Sequence, residues 1–199
     1  MLLSPLAWGQ TIIPGTTIST AETIISDTVN NSSYEEFEKQ VGLQPIELSG
    51  SVFEVRLYKL VVVRNQASLR LIRLVNGQWE ALQFEQKSKS RISRFTLSPK
   101  VEFETLVKKL IEQKVVSLPD QDKVDKRIED SYPSKKDALA ARPGIMDGYA
   151  FTVEIKIDSA FRVYQFRNPE VYAKSYKNVE EFRDYASIIR TFEEDLMRK

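Results

Sequence analysis

The sequence predicts an α+β domain in which an antiparallel sheet of about six strands has its helices packed on one face. Two observations predict this class. Some segments alternate apolar and polar residues, as half-buried strands do, and others repeat apolar residues at spacings of three and four, as amphipathic helices do. The order of these segments favours segregated helices, and no repeat with a period of about 20 to 50 residues points to a solenoid or a propeller.

The N-terminus reads as the end of a secretory signal peptide. Residues 1–9 are largely apolar, and the small residues Ala7 and Gly9 stand three and one positions before Gln10. Cleavage there would leave Gln10 first, so we expect an exported protein of the periplasm or the extracellular space. Residues 10–32 are rich in Thr, Ser and Ile. They show neither the alternation of a strand nor the spacing of three and four of a helix, and they are expected to form a partly ordered lead-in. Residues 33–199 are expected to form a single domain.

The domain is predicted to begin with a short helix from Tyr34 to Val41. Ser33 and Glu36 have the spacing of a capping box, and Gly42 is the kind of residue that ends a helix.

Four strands are predicted next. Residues 53–57 (FEVRL) alternate apolar and charged side chains, which predicts a strand with one buried face. The segments ASLRLIRLV and QWEALQFEQ are separated by Asn76 and Gly77, a dipeptide that accepts the positive φ angles of a type I′ hairpin turn. RISRFTL adds a fourth strand.

A second helix is predicted to start at Ser98 and Pro99, because a hydroxyl can cap free amides and proline suits the first helical position. Its apolar residues line one face: Phe103, Leu106, Val107, Leu110 and Ile111.

The C-terminal third begins with the most regular alternation in the chain. In residues 149–157 (YAFTVEIKI) the odd-numbered side chains are expected to face the core. A turn then leads into FRVYQFR, which Asn168 and Pro169 end, because proline cannot donate to a strand ladder. The last helix is predicted from Asn178, with an apolar stripe that consists of Phe182, Tyr185, Ile189, Phe192 and Leu196.

Residues 117–146 are predicted to form a long polar loop, because they combine many charges with three prolines. Carboxylates at near-alternate positions in it suggest a calcium site: Asp120, Asp122, Asp125, Glu129 and Asp130. Lysine and arginine residues interleave with these acids and would repel a cation. We therefore expect a solvated charged segment and no metal.

Composition excludes several kinds of chemistry. The chain has no cysteine and no histidine, which excludes disulfides, thiolate or imidazole metal ligands, and nucleophiles activated by histidine. Its 29 Lys and Arg nearly balance its 28 Asp and Glu, so no nucleic acid partner is expected. No segment approaches the roughly 18 apolar residues of a membrane span. No cofactor is indicated, and no catalytic residue stands out.

An aromatic and cationic region near the C-terminus is the best candidate for a recognition surface, since Tyr and Arg are enriched where partners bind. The candidate ligand-binding residues are Tyr164, Arg167, Asn168, Tyr172 and Tyr176. Core packing is the competing interpretation, because alternating aromatics on a strand also fill cores. Tyr172 and Tyr176 are the two expected to face solvent.

These observations lead to three functional hypotheses. The first is a non-enzymatic exported domain that binds a protein or a glycan. The second is a small carboxylate-dependent hydrolase, such as a glycosidase, with residues 117–146 lining its cleft. The third is a structural protein that dimerises through its last helix. The sequence gives no basis for an oligomeric state.

Overall fold

The computed structural model describes residues 10–13, 16–19, 34–64, 66–88, 91–145 and 148–199. The predicted signal segment, most of the lead-in and the Ser33 cap lie outside the described residues.

Within these ranges the chain forms nine strands and six α-helices. The strands are β1 Gln10–Ile13, β2 Thr16–Ser19, β3 Phe53–Val61, β4 Gln66–Val75, β5 Gln78–Ser88, β6 Arg91–Pro99, β7 Tyr149–Ile157, β8 Ala160–Arg167 and β9 Leu196–Arg198. The helices are α1 Glu35–Val41, α2 Phe103–Glu112, α3 Gln121–Glu129, α4 Lys135–Ala141, α5 Pro169–Ser175 and α6 Glu180–Glu194.

Seven of the described strands form one antiparallel sheet in the order β8-β7-β3-β4-β5-β6-β9, and β1 pairs with β2 separately. The predicted α+β class is therefore confirmed. The β4–β5 turn is the predicted one: Asn76 and Gly77 have φ angles of 51° and 74°, which a type I′ turn requires.

One face of the sheet forms the main core with α2, α3 and α6. The odd-numbered residues of β7 from Phe151 to Ile157 are buried there, as predicted, while Tyr149 at the end of the strand is exposed. The predicted stripes of α2 and α6 pack against the same face. Tyr185 stacks on Phe166 with ring centroids 4.5 Å apart.

The opposite face is covered as well, which alternation along the strands does not reveal. Tyr34 and Phe37 of the α1 region pack there on side chains of β3, β4 and β5, and Tyr34 stacks on Tyr58 at 4.3 Å. The polar side chains of β3 and β7 that alternate with the main core therefore lie beneath α1 and the loop that follows it. Glu54, Arg56 and Glu154 are almost completely buried there.

Element ends differ from the sequence prediction at three places. The last helix is predicted from Asn178 with Leu196 in its stripe, whereas α6 spans Glu180–Glu194 and Leu196 begins β9. Ser98 and Pro99 end β6, where they pair with β9, and α2 begins only after Glu102. Proline cannot donate to a strand ladder, so it is tolerated at the end of this strand, where the pairing with β9 covers only three residues. The predicted polar loop over residues 117–146 contains two helices, α3 and α4. None of the helices in the described ranges is long and apolar enough to cross a membrane.

Candidate functional site

The helices α3 and α4 form a lobe beside β8, which is an edge strand of the sheet. A cleft of about 820 Å³ lies between this lobe and the corner where β8 meets α5. Three of the five predicted ligand-binding residues line it, namely Arg167, Asn168 and Tyr172. The lobe contributes most of the remaining lining: Gln121, Asp122, Asp125, Lys126, Glu129, Asp130, Lys135 and Arg142.

The other two predicted residues do not line the cleft. Tyr164 is 0% exposed, and its hydroxyl donates a hydrogen bond to the Val115 carbonyl at 3.0 Å. Tyr164 therefore belongs to the core, because the even-numbered residues of β8 face inward. Tyr176 packs beside Tyr172 with ring centroids 6.0 Å apart, and its hydroxyl donates to the Ala141 carbonyl at 3.3 Å. It supports the lobe from the α5 side.

Side chains at the start of α3 hold the lobe to the sheet. The outward-facing backbone amide of Gln165 donates to the Asp120 carboxylate at 2.8 Å, and that of Arg167 donates to Gln121 Oε1 at 2.5 Å. These bonds satisfy amide groups that an edge strand would otherwise leave open for pairing with another chain. The same contacts fix the distance between the two walls of the cleft.

Gln121 connects α3 to β8 within the cleft. It is buried, and its amide Nε2 donates to Asp125 Oδ2 at 3.4 Å while its Oε1 accepts from β8. Burial raises the pKa of the Asp125 carboxyl, and the Arg142 guanidinium partly offsets that rise. Burial also raises the pKa of the Tyr172 hydroxyl, which bonds to Gln121.

The corner between β8 and α5 depends on Asn168. This residue has a φ of 44°, in the left-handed region that asparagine tolerates better than most residues. Its Oδ1 accepts a hydrogen bond from the Tyr149 amide at 2.8 Å. A Cβ at Gly148 would come within 2.5 Å of Asn168 Nδ2, so any larger residue there would force the Asn168 side chain to shift. Asn168 and Arg167 are thereby held at the cleft mouth.

The cleft carries no net formal charge. Among the described residues that line it, four carboxylates face four cationic groups. Arg142 pairs with Glu129, and Arg167 Nη2 lies 3.4 Å from Asp122 Oδ1. The site thus presents both hydrogen-bond donors and acceptors without a dominant field of either sign.

Metal binding finds no support in this arrangement. No group of three or more acidic side chains within the described ranges is placed to hold a metal ion. Of the five acids weighed for calcium, Asp120 accepts from the β8 backbone, and Asp122 and Glu129 contact arginines.

A second hollow of about 540 Å³ lies between α1 and the opposite face of the sheet. Its lining includes Tyr34, Phe37 and three glutamines of the strands, Gln66, Gln86 and Gln165. No predicted ligand-binding residue reaches it. The cleft beside β8 is therefore the candidate site, because three predicted ligand-binding residues converge there with residues of the segment 117–146.

The described part of the chain defines an α+β protein with a seven-stranded antiparallel sheet and a helical lobe at one sheet edge. No protein family matches the chain, and neither a curated protein nor a solved structure shows significant similarity to it.

Proposed function

We propose that this chain is a non-enzymatic binding domain that holds a neutral glycan in the cleft beside β8. The observation that carries the proposal is the charge balance of the lining, in which four acids are matched by four cations. Each hydroxyl of a sugar both donates and accepts, so a mixed lining of carboxylates, amides and guanidinium groups can satisfy it. A half-buried ring, that of Tyr172, offers an apolar surface within the same cleft.

The alternatives fit this geometry less well. A polyanion would require a basic surface, and the chain has a net charge of only +1. A folded protein partner typically buries about 800 Å² on each side of a broad interface, whereas this site is a concave cleft of about 820 Å³. For these reasons we favour a glycan over a protein among the two partners that the sequence suggests.

A glycosidase needs one acid with a raised pKa and a second, available carboxylate. Asp125 satisfies the first condition, because burial raises its pKa. The neighbouring acids Asp122 and Glu129 contact Arg167 and Arg142, so neither carboxylate is free to face a substrate opposite Asp125. Binding without turnover is therefore the function we propose.

The test is calorimetric titration of the purified domain with short neutral oligosaccharides and with uronic-acid oligosaccharides of equal length. We expect the neutral set to bind. Arg167→Gln removes one charged donor from the cleft mouth and should weaken binding about 10- to 150-fold, since such a hydrogen bond contributes about 1.5–3 kcal/mol. The matched control is Arg183→Gln, because Arg183 lies on α6 and does not line the cleft.

Three outcomes would contradict the proposal. These are a preference for the uronic-acid set, equal affinity for the Arg167→Gln variant, and no binding of either set. Reducing ends released during the titration would instead support the hydrolase, and loss of this release in Asp125→Asn would assign its acid.

We also propose that the protein is exported. The support is the apolar segment of residues 1–9 with Ala7 and Gly9 at the spacing of a cleavage site. A glycan outside the cell would be accessible to such a protein.

A further inference from the structure

A buried cluster of charged side chains lies on the sheet face that α1 covers. Arg56 is 1% exposed and donates from Nε to Glu54 and from Nη1 to Glu38, both at 2.6 Å. Its Nη1 also lies 3.3 Å from Glu154 Oε2, and its Nη2 donates to the Gln44 carbonyl at 2.8 Å. One guanidinium thus contacts three buried carboxyl groups.

Two further cations lie beside the cluster, and both contact other groups. Lys156 of β7 lies opposite Glu54, and its ammonium donates to the backbone carbonyls of Glu47 and Ser49. Arg73 of β4 also lies opposite Glu54, and it pairs with Glu80 at 2.5 Å. With all three carboxyl groups ionised, the cluster would hold three negative charges against Arg56 and Lys156. A site this buried tolerates such an excess poorly.

Glu38 and Glu154 share the same two donors. The Tyr58 hydroxyl lies 2.5 Å from Glu38 Oε1 and 3.4 Å from Glu154 Oε2. Arg56 Nη1 likewise contacts both carboxyl groups. A phenol has only one hydrogen to donate, so the two carboxyl groups compete for it, and protonation of Glu154 relieves this competition.

The cluster joins three parts of the fold. Glu38 belongs to α1, and Gln44 belongs to the loop that follows it. Ser49 and Ser51, further along that loop, donate to Glu54 Oε2. Beneath α1 lie buried apolar residues of β4 and β5: Leu69, Leu71, Leu82 and Phe84. The cluster and the apolar contacts beneath α1 therefore hold the same helix on the sheet.

We propose that this cluster is a proton-operated latch, in which a proton shared by Glu154 and its neighbours keeps α1 docked and loss of that proton loosens α1 from the sheet.

The pKa of Glu154 gives the direction of the response. Burial is the main cause that raises it from 4.5 to about 8, the charge of Glu38 adds to the rise, and Arg56 opposes it. A carboxyl group whose pKa is higher when α1 is docked than when α1 is undocked favours the docked state. Its contribution is complete at pH values below the undocked pKa. This contribution is lost as the pH rises from 4.5 to about 8 and changes little above that.

The test is hydrogen–deuterium exchange of the α1 amides from about pH 5 to about pH 9, normalised to exchange rates of unstructured peptides. We expect the opening constant of α1 to rise at least about tenfold between pH 5 and pH 8. The α2 amides, on the other face of the sheet, should change much less and serve as an internal reference. Binding of an apolar dye should rise in parallel as apolar side chains become exposed.

Glu154→Gln keeps a donor for Tyr58 and removes the ionisation, so its α1 response should shrink to less than about threefold. Glu38→Gln removes a different charge from the same cluster and should also flatten the response, which keeps the test decisive if one variant does not fold. Glu193→Gln is the control, since this acid pairs with Lys59 away from the cluster. Flat exchange in the wild type, or a wild-type response in Glu154→Gln and Glu38→Gln, would overturn the proposal.

Discussion

Replacing Arg56 by methionine should destabilise the domain more than replacing any exposed arginine. Removing one partner of a buried ion pair costs about 3–5 kcal/mol, because the remaining charge is left without compensation. Arg56 contacts three carboxyl groups and one backbone carbonyl, so we expect a loss near the upper end, about 5 kcal/mol at neutral pH. Methionine has a similar unbranched stem, so little of the loss should come from packing.

The assay is urea unfolding followed by the fluorescence of Trp79, which packs against Phe53 and Phe103 in the core. The matched control is Arg73→Met on the neighbouring strand. Arg73 pairs with Glu80, but the two side chains are 25% and 31% exposed, so its removal should cost no more than about 1 kcal/mol. Domains of this kind are stable by about 5–15 kcal/mol, so the two variants should differ clearly.

Acidification provides a second check on Arg56→Met. The penalty arises from carboxylates that have lost their cation, so it should diminish as the pH falls and they become protonated. A cost of Arg56→Met equal to that of Arg73→Met would show that burial of the Arg56 ion pairs does not determine the loss of stability. A cost that does not depend on pH would show that uncompensated carboxylates are not its cause.

Two further predictions concern the cleft corner and the N-terminus. Gly148→Ala places a Cβ within 2.5 Å of the Asn168 side chain and should weaken both stability and glycan binding, whereas Gly144→Ala, with nothing within 4 Å, should change neither. Equal effects in urea unfolding and calorimetry would contradict this account of the corner. Export predicts that the protein recovered from its producing cells begins at Gln10, and an intact mass that includes residues 1–9 would count against cleavage at that position.

Local chemistry accounts for the parts of the fold that the sequence predicts correctly. The Asn76-Gly77 turn follows from two positive φ angles, and the β7 alternation follows from the two-residue period of a strand. Gly42 ends α1 in the left-handed conformation, as predicted. Each of these features depends on residues close together in the chain.

The burial of Arg56 and Glu154 could not be predicted in the same way. Alternation identifies which residues share a face, but a second layer above the polar face depends on contacts between distant segments. Arg56 and Glu154 are 98 residues apart, and Glu38, which completes the cluster, lies on a helix whose placement no local pattern specifies. A charged residue in a strand is usually exposed, so the sequence pattern favoured the wrong environment.

The candidate site was predicted in part for a related reason. Arg167, Asn168 and Tyr172 follow one another closely, so their common location could be inferred from composition. Gln121 could not be found, because its role is to accept from the Arg167 amide of an edge strand. Only the sheet order reveals that β8 is such an edge.

The edge position of β8 also explains why the cleft lies where it does. An edge strand with open amides invites pairing with other chains, and the start of α3 prevents this by accepting from Gln165 and Arg167. A lobe held by side chains rather than by a full strand ladder leaves a gap between itself and the sheet. That gap is the cleft, so a change that frees the lobe from β8 should destroy the binding site and expose the edge in the same step.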